Sequence, residues 1–231
     1  MTNENAKKKL SYALKCLIVL SSLGGITVSL FESVNHGYSH WSKRFLYFTA
    51  QSNLWIGFTV LALLLYFLLG KTPPKFLYLL KYVFTVSITV TGLVFCCLLG
   101  PFGDESYHLW AFSSWLTHIF TPAFAVLDFF LDSEKIHLRR GHVWICALPP
   151  LFYSTLTFAL EALKIDFGRG EFYPYFFLNY RSPVGLFGFA AEIPFFAGSF
   201  YWIAFLGLLV LGIGFLYREW NNAQIKKSPQ V

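Results

Sequence analysis

The sequence predicts an all-α membrane protein, a polytopic bundle of about six transmembrane helices with both termini in the cytoplasm. Three observations predict it. The chain is 56% hydrophobic and 13% charged, about half the charge of an ordinary soluble domain. Its apolar residues gather into stretches of the roughly 20 residues that a helix needs to cross hydrocarbon. Its Lys and Arg collect in alternate connections between those stretches.

Taken in order, the expected spans are 11–31, 45–69, 76–99, 109–131, 143–163 and 194–217, within a single membrane domain covering 1–231. Lys7, Lys8 and Lys9 precede the first run as they would in a signal peptide. That run continues to Phe31 with no small-residue cleavage site, so it reads as an uncleaved span. Gly70, Pro73 and Pro74 close the second run, Gly100, Pro101 and Gly103 the third, and the polar stretch Asp132 to Gly141 the fourth. After the fifth comes the longest connection, Ile165 to Arg181, rich in Gly, Tyr and Phe. The apolar piece 184–191 precedes Glu192 and Pro194, and joining it to the last span would exceed one straight crossing. A short interfacial helix is expected there.

Of the 18 basic residues, 13 fall on the side that holds both termini and five, Lys43, Arg44, Lys164, Arg169 and Arg181, on the other. The positive-inside rule places the termini in the cytoplasm and faces Tyr173, Pro174 and Tyr175 outward. The net charge of +6 is thus a topology signal, and its short clusters exclude a nucleic-acid surface. Cys16, Cys96, Cys97 and Cys146 lie in apolar runs with neither zinc-site nor disulfide spacing, and read as buried reduced thiols. No metal ligand set and no cofactor motif is present in the sequence.

Polar side chains inside spans are costly in lipid, so function is sought there. In the second span Thr49, Ser52 and Asn53 share a helical face, with Gln51 beside them. In the fourth, Ser114, His118, Thr121, Ala125 and Asp128 form one stripe. Asp128 lies about 15 Å along the helix from His118 and cannot orient its imidazole. Glu161 and Glu192 belong to the same outer end as Thr49 and His118, and either supplies a carboxylate neighbour. Thr85, Thr89, Gly92 and Cys96 line a small-residue face suited to close helix packing. Ties between helices account for many such groups, and a polar solute path is a further reading. Six short-looped spans without inverted repeats argue against a secondary transporter.

The run Tyr47-Phe48-Thr49-Ala50-Gln51-Ser52-Asn53, His118 ten residues before an acid, and Phe172-Tyr173-Pro174-Tyr175-Phe176-Phe177-Leu178 resemble the bacterial Pr-six-Pr membrane proteins. These in turn look related to the androgen-induced and androgen-dependent multi-pass threonine hydrolases of animals. The likeness runs from about Arg44 to the last span. It implies an integral membrane hydrolase of lipid or acyl esters, such as fatty acid esters of hydroxy fatty acids, working among membrane lipids in the cell membrane. Carried over by position, the catalytic pair is Thr49 as nucleophile and His118 as base. Gln51 or Asn53 would supply an amide N–H to the oxyanion.

Overall fold

The computed structural model describes residues 3–33, 35–102, 110–132, 134–191, 193–194 and 196–227. Six helices among them are long and apolar enough to cross a membrane: α1 (Asn3–Glu32), α2 (Phe48–Leu68), α3 (Lys75–Phe102), α4 (Phe112–Leu131), α5 (Arg140–Ala162) and α6 (Ser199–Lys227). Six crossings return the chain to the side from which it starts. The protein is a polytopic helical membrane protein, as the length and spacing of the apolar runs require.

Helices α1 to α4 form the tight part of the bundle, around Ile18, Ile56, Val60, Ile88 and Ala125. Glycines permit this closeness. A methyl group on Gly25 would lie 2.8 Å from Thr117 Cγ2 and 2.9 Å from Leu116 Cβ, and one on Gly57 would lie 2.5 Å from Ser22 Oγ. On the small-residue face of α3, a methyl on Gly92 would sit 3.2 Å from the His118 carbonyl oxygen, the close α3–α4 approach that such a face allows. Helices α5 and α6 pack more loosely, through Tyr82, Phe129, Cys146, Val210 and Tyr217 at one end and Tyr153, Tyr175 and Trp202 at the other. A space remains between them and the tight four.

The structure corrects several expectations. Residues 184–191 form turns and an isolated antiparallel bridge, Phe189 to Ala197, and no interfacial helix. Gly185 has a left-handed φ of +58°, which ends helical propagation, and Gly198 N–H bonds back to Gly188 O. Gly100 and Pro101 lie inside α3, because the five-residue π segment Phe95–Leu99 widens the helix and places Gly100 N–H on Phe95 O. α4 begins at Phe112, and Leu109 lies outside the described residues. All four cysteines are free, but only Cys146 is buried; Cys16, Cys96 and Cys97 are exposed on helix surfaces.

Lys15 and Lys81, counted above with the topology cations, are buried in the bundle. Lys15 Nζ lies 2.9 Å from both Asp128 and Asp132, and Lys81 Nζ lies 2.5 Å from each. Ser11 donates to Asp128 at 2.8 Å. Burial alone would raise the Asp132 carboxyl, but Lys81 and Lys15 hold it well below the usual carboxylate range. Asp128 therefore faces α1 and α3 in a closed ionic cluster. The charge asymmetry between the two sides survives the removal of these two lysines from the count.

Candidate active site

At the opposite end of the bundle, the short 3-10 helix Trp41–Leu46 is capped by the His40 ring, which accepts the Ser42 N–H. It ends at Tyr47 in extended backbone, and α2 starts at Phe48. That start lies three residues inside the expected beginning of the span and puts Thr49 in the first turn of α2. His118 sits in a second π segment, Leu116–Phe120 of α4, and its ring stacks on Phe95 of the first one at 4.2 Å between centroids and 20°. Both widened turns meet at one point, and such bulges frequently mark functional sites.

Thr49 Oγ1 lies 3.1 Å from His118 Nε2. The other ring nitrogen, Nδ1, is 3.1 Å from the Ser114 carbonyl oxygen and 3.2 Å from Thr117 Oγ1, and that hydroxyl itself donates to Ser113 O. A carbonyl oxygen can only accept, so Nδ1 carries the proton, and in the neutral ring Nε2 presents its lone pair to Thr49. The imidazole is thereby held in the tautomer that a general base requires, by a backbone carbonyl where the sequence reading looked for a carboxylate.

The residues expected to support the pair divide differently. Glu161 is buried, accepts the Tyr180 hydroxyl and pairs with Arg181, so it anchors the long connection to α5 and not the imidazole. Glu192 lies outside the described residues. Asn53 spends both amide hydrogens on carbonyls, Thr49 O at 2.8 Å and Thr117 O at 3.1 Å, and Gln51 Nε2 donates to Phe45 O at 3.1 Å. Neither amide is directed at Thr49 Oγ1. Ser52 contacts Thr91 Oγ1 at 2.9 Å and ties α2 to α3. Ser52 and Asn53 hold α2, α3 and α4 in the register that brings Thr49 to His118.

Tyr175, named above only within the aromatic connection, has no site role in the sequence reading. Its hydroxyl lies 3.4 Å from Thr49 Oγ1 and the residue is 6% exposed. The long connection that carries it is docked by close backbone contacts. Gly168 has φ +110°, and a methyl there would lie 2.6 Å from the Tyr38 ring and 2.8 Å from Lys43 Cβ, so only glycine fits. Ser39 N–H bonds Gly168 O at 2.6 Å, and Lys43 Nζ donates to Asp166 O at 2.8 Å. Burial tends to raise the Asp166 carboxyl, yet the Gly168 N–H and Lys43 bring it below its ordinary value, which keeps this clasp ionised. A signal did exist in the sequence: an aromatic and glycine-rich connection too long for a turn.

Two cavities meet at Thr49. One, of about 320 Å³, is almost wholly apolar and lies between α2 and α3 on one side and α5 and α6 on the other, lined by Phe48, Val94, Leu151, Tyr153, Leu206 and Val210 among others. The other, of about 70 Å³, is far more polar, with Tyr38, Arg44, Ser113, His118 and Arg169 in its wall. Thr49, Leu99 and Tyr175 border both. The Arg44 and Arg169 guanidinium carbons lie 4.2 and 5.0 Å from the Tyr38 ring centroid. Among the described residues no group of three or more His, Cys, Asp or Glu side chains could hold a metal ion.

Fold and site together define the class as a multi-pass helical membrane protein with a hydroxyl–imidazole pair at the junction of an apolar and a polar cavity. Comparison with known protein families, with curated proteins and with solved structures gave no match.

Proposed function

We propose that the protein is an integral membrane hydrolase of lipid acyl esters, with Thr49 as nucleophile and His118 as general base. The observation that carries this reading is the 3.1 Å Thr49–His118 contact at the wall shared by the two cavities. An acyl chain matches the apolar cavity, and the alcohol portion of the ester matches the polar one. Arg44 and Arg169 suit a carboxylate on that alcohol, as in a fatty acid ester of a hydroxy fatty acid, through charge-assisted hydrogen bonds. By the charge-derived orientation the site belongs to the outer half of a cell membrane, within reach of lipid substrates.

The chemistry follows from the groups present. Thr49 Oγ1 attacks the ester carbonyl carbon as its proton passes to His118 Nε2, forming a new C–O bond and placing the carbonyl electron pair on oxygen. The intermediate collapses, the bond to the alcohol breaks, and His118 returns the proton to the departing alkoxide. Water then attacks the acyl-threonine with His118 again as base, releasing the fatty acid and regenerating the Thr49 hydroxyl.

The test uses purified full-length protein and a fluorophosphonate probe, which labels activated hydroxyls. Labelling of wild type that is lost in Thr49→Ala supports the reading. Equal labelling of the two proteins, or none of either, overturns it.

A further inference from the structure

A nucleophilic hydroxyl is half of an acyl-transfer site. The other half is a fixed donor for the negative oxygen that appears when the carbonyl is attacked. Asn53 does not supply it, since both its amide hydrogens go to carbonyl oxygens, and the Gln51 amide is turned to Phe45 O with no hydrogen bond to Thr49. We infer that the Tyr175 hydroxyl is the oxyanion donor of this site, an assignment that rests on the hydrolase reading.

Three observations carry it. First, position: the Tyr175 hydroxyl and His118 Nε2 are the side-chain groups at hydrogen-bonding distance from Thr49 Oγ1, at 3.4 and 3.1 Å. His118 takes the Thr49 proton, so in the resting site the Tyr175 O–H points at Oγ1 itself. Once Oγ1 is bonded to the carbonyl carbon, the oxyanion stands one bond angle away from it. The Tyr175 O–H moves from one oxygen to the other by a small rotation, and no proton is transferred. Second, passage: Tyr175 borders both cavities, so an ester with its acyl chain in one and its alcohol in the other puts its carbonyl against this hydroxyl.

Third, preorganisation: the Tyr175 ring lies flat against Phe177 at 5.1 Å and 10°, with the Tyr47 ring edge-on at 6.1 Å. Its backbone carbonyl is tied to Leu178 N–H at 3.0 Å. A ring so packed does not reorient when charge develops, and this is what makes such donors effective. Burial raises the phenol above its ordinary range, so it stays protonated and donates. Beside it, 6.2 Å between ring centroids, Tyr153 of α5 borders the acyl cavity, with Thr157 and Tyr175 as neighbours of its buried hydroxyl.

The experiment compares wild type, Thr49→Ala, Tyr175→Phe and Tyr153→Phe as full-length protein in detergent. It measures hydrolysis of a long-chain acyl ester and binding of two inhibitors with the same chain. One inhibitor is a trifluoromethyl ketone, which forms a tetrahedral anion on the threonine, and the other an unreactive ether. For Tyr175→Phe the expected result is a fall in kcat of about 10²–10³-fold with KM little changed. Ketone affinity falls by a similar factor while ether affinity is retained; for Tyr153→Phe the loss is smaller. Incorporation of 3-fluorotyrosine at 175, which leaves a more acidic hydroxyl in place, retains kcat and guards against a folding defect of the Phe variant.

Undiminished kcat in an active Tyr175→Phe protein would overturn the assignment while leaving Thr49 and His118 in place. So would equal loss of ketone and ether binding, which marks a structural role. Wild type without Thr49-dependent hydrolysis overturns the hydrolase reading, and the oxyanion assignment with it.

Discussion

The bundle buries two polar clusters at opposite ends, and they are built on opposite plans. At one end Lys15, Lys81, Asp128 and Asp132 are each at most 5% exposed, their charges cancel, and every carboxylate faces a lysine. The adjoining cavity, about 20 Å³, has room for about one water. At the other end Thr49, His118 and Tyr175 are uncharged, and Thr49 and Tyr175 border two much larger spaces. A closed ionic set leaves no capacity for a ligand and serves to fix helices. An open neutral set keeps an unprotonated nitrogen and mobile hydroxyl protons facing a space that a substrate can fill.

Replacing a member of each cluster separates the plans. Thr49→Ala is expected to lower ester hydrolysis by about 10⁴-fold or more with the thermal unfolding temperature in detergent nearly unchanged. Asp128→Asn is expected to do the reverse. Lys15 and Lys81 would be left with Asp132 alone, and removing one partner of a buried ionic set costs about 3–5 kcal/mol. Calorimetry of the two variants beside activity assays checks both. A stability loss in Thr49→Ala as large as that of Asp128→Asn would erase the distinction.

What the sequence reveals of these clusters follows from how each is encoded. Span length and hydropathy depend only on composition, so all six crossings are legible. Thr49 and His118 are legible because a hydroxyl and an imidazole stand out on apolar helices. The group that fixes the His118 tautomer is a main-chain carbonyl, which every residue possesses, so no residue type announces it, and Glu161, one of the two carboxylates expected there, holds Tyr180 and Arg181 instead. Tyr175 sits in a run of aromatics where one hydroxyl among several gives no pattern, and its place depends on the Gly168 clasp. Lys15 and Lys81 illustrate a different difficulty: a lysine near a helix end carries the same sequence signal whether it reaches for headgroups or turns inward. The i, i+4 pairs Ser11–Lys15 and Asp128–Asp132 are the pattern that points inward.

A subtler change links stability to chemistry through the backbone. Gly25 of α1 abuts the π segment that carries His118, and a methyl there would press on Leu116 Cβ and the Thr117 side chain at under 3 Å. Relief requires α1 and α4 to part locally, which moves the imidazole relative to Thr49. Gly25→Ala is therefore expected to reduce kcat by about ten- to a hundredfold, because small misplacements of reacting groups are costly. It should lower the unfolding temperature less than Asp128→Asn does. Full kcat in this variant would show that the site tolerates slack the comparison denies it.

The smallest effect belongs to Lys135, which stands at the edge of the closed cluster and is only partly enclosed. Its ammonium donates to Phe129 O at 3.0 Å and lies 4.6 Å from the Trp220 ring centroid. Burial lowers it from its ordinary value to about 8, with Asp132 and Asp128 opposing that shift and Lys81 and Lys15 adding to it. In the unfolded chain the proton is held up to the ordinary value of 10.5, so between these limits the unfolded state binds more protons than the folded one. Stability must therefore rise with pH across that window. Below it the cost of the buried charge is fully present, and above it the cost is gone. Lys135→Met carries no such charge at any pH. The difference in unfolding temperature between it and wild type is expected to be about 1–3 °C in favour of the variant at neutral pH and to shrink as pH rises through the window. A difference that stays constant would mean that Lys135 keeps its proton throughout and belongs to the closed set after all.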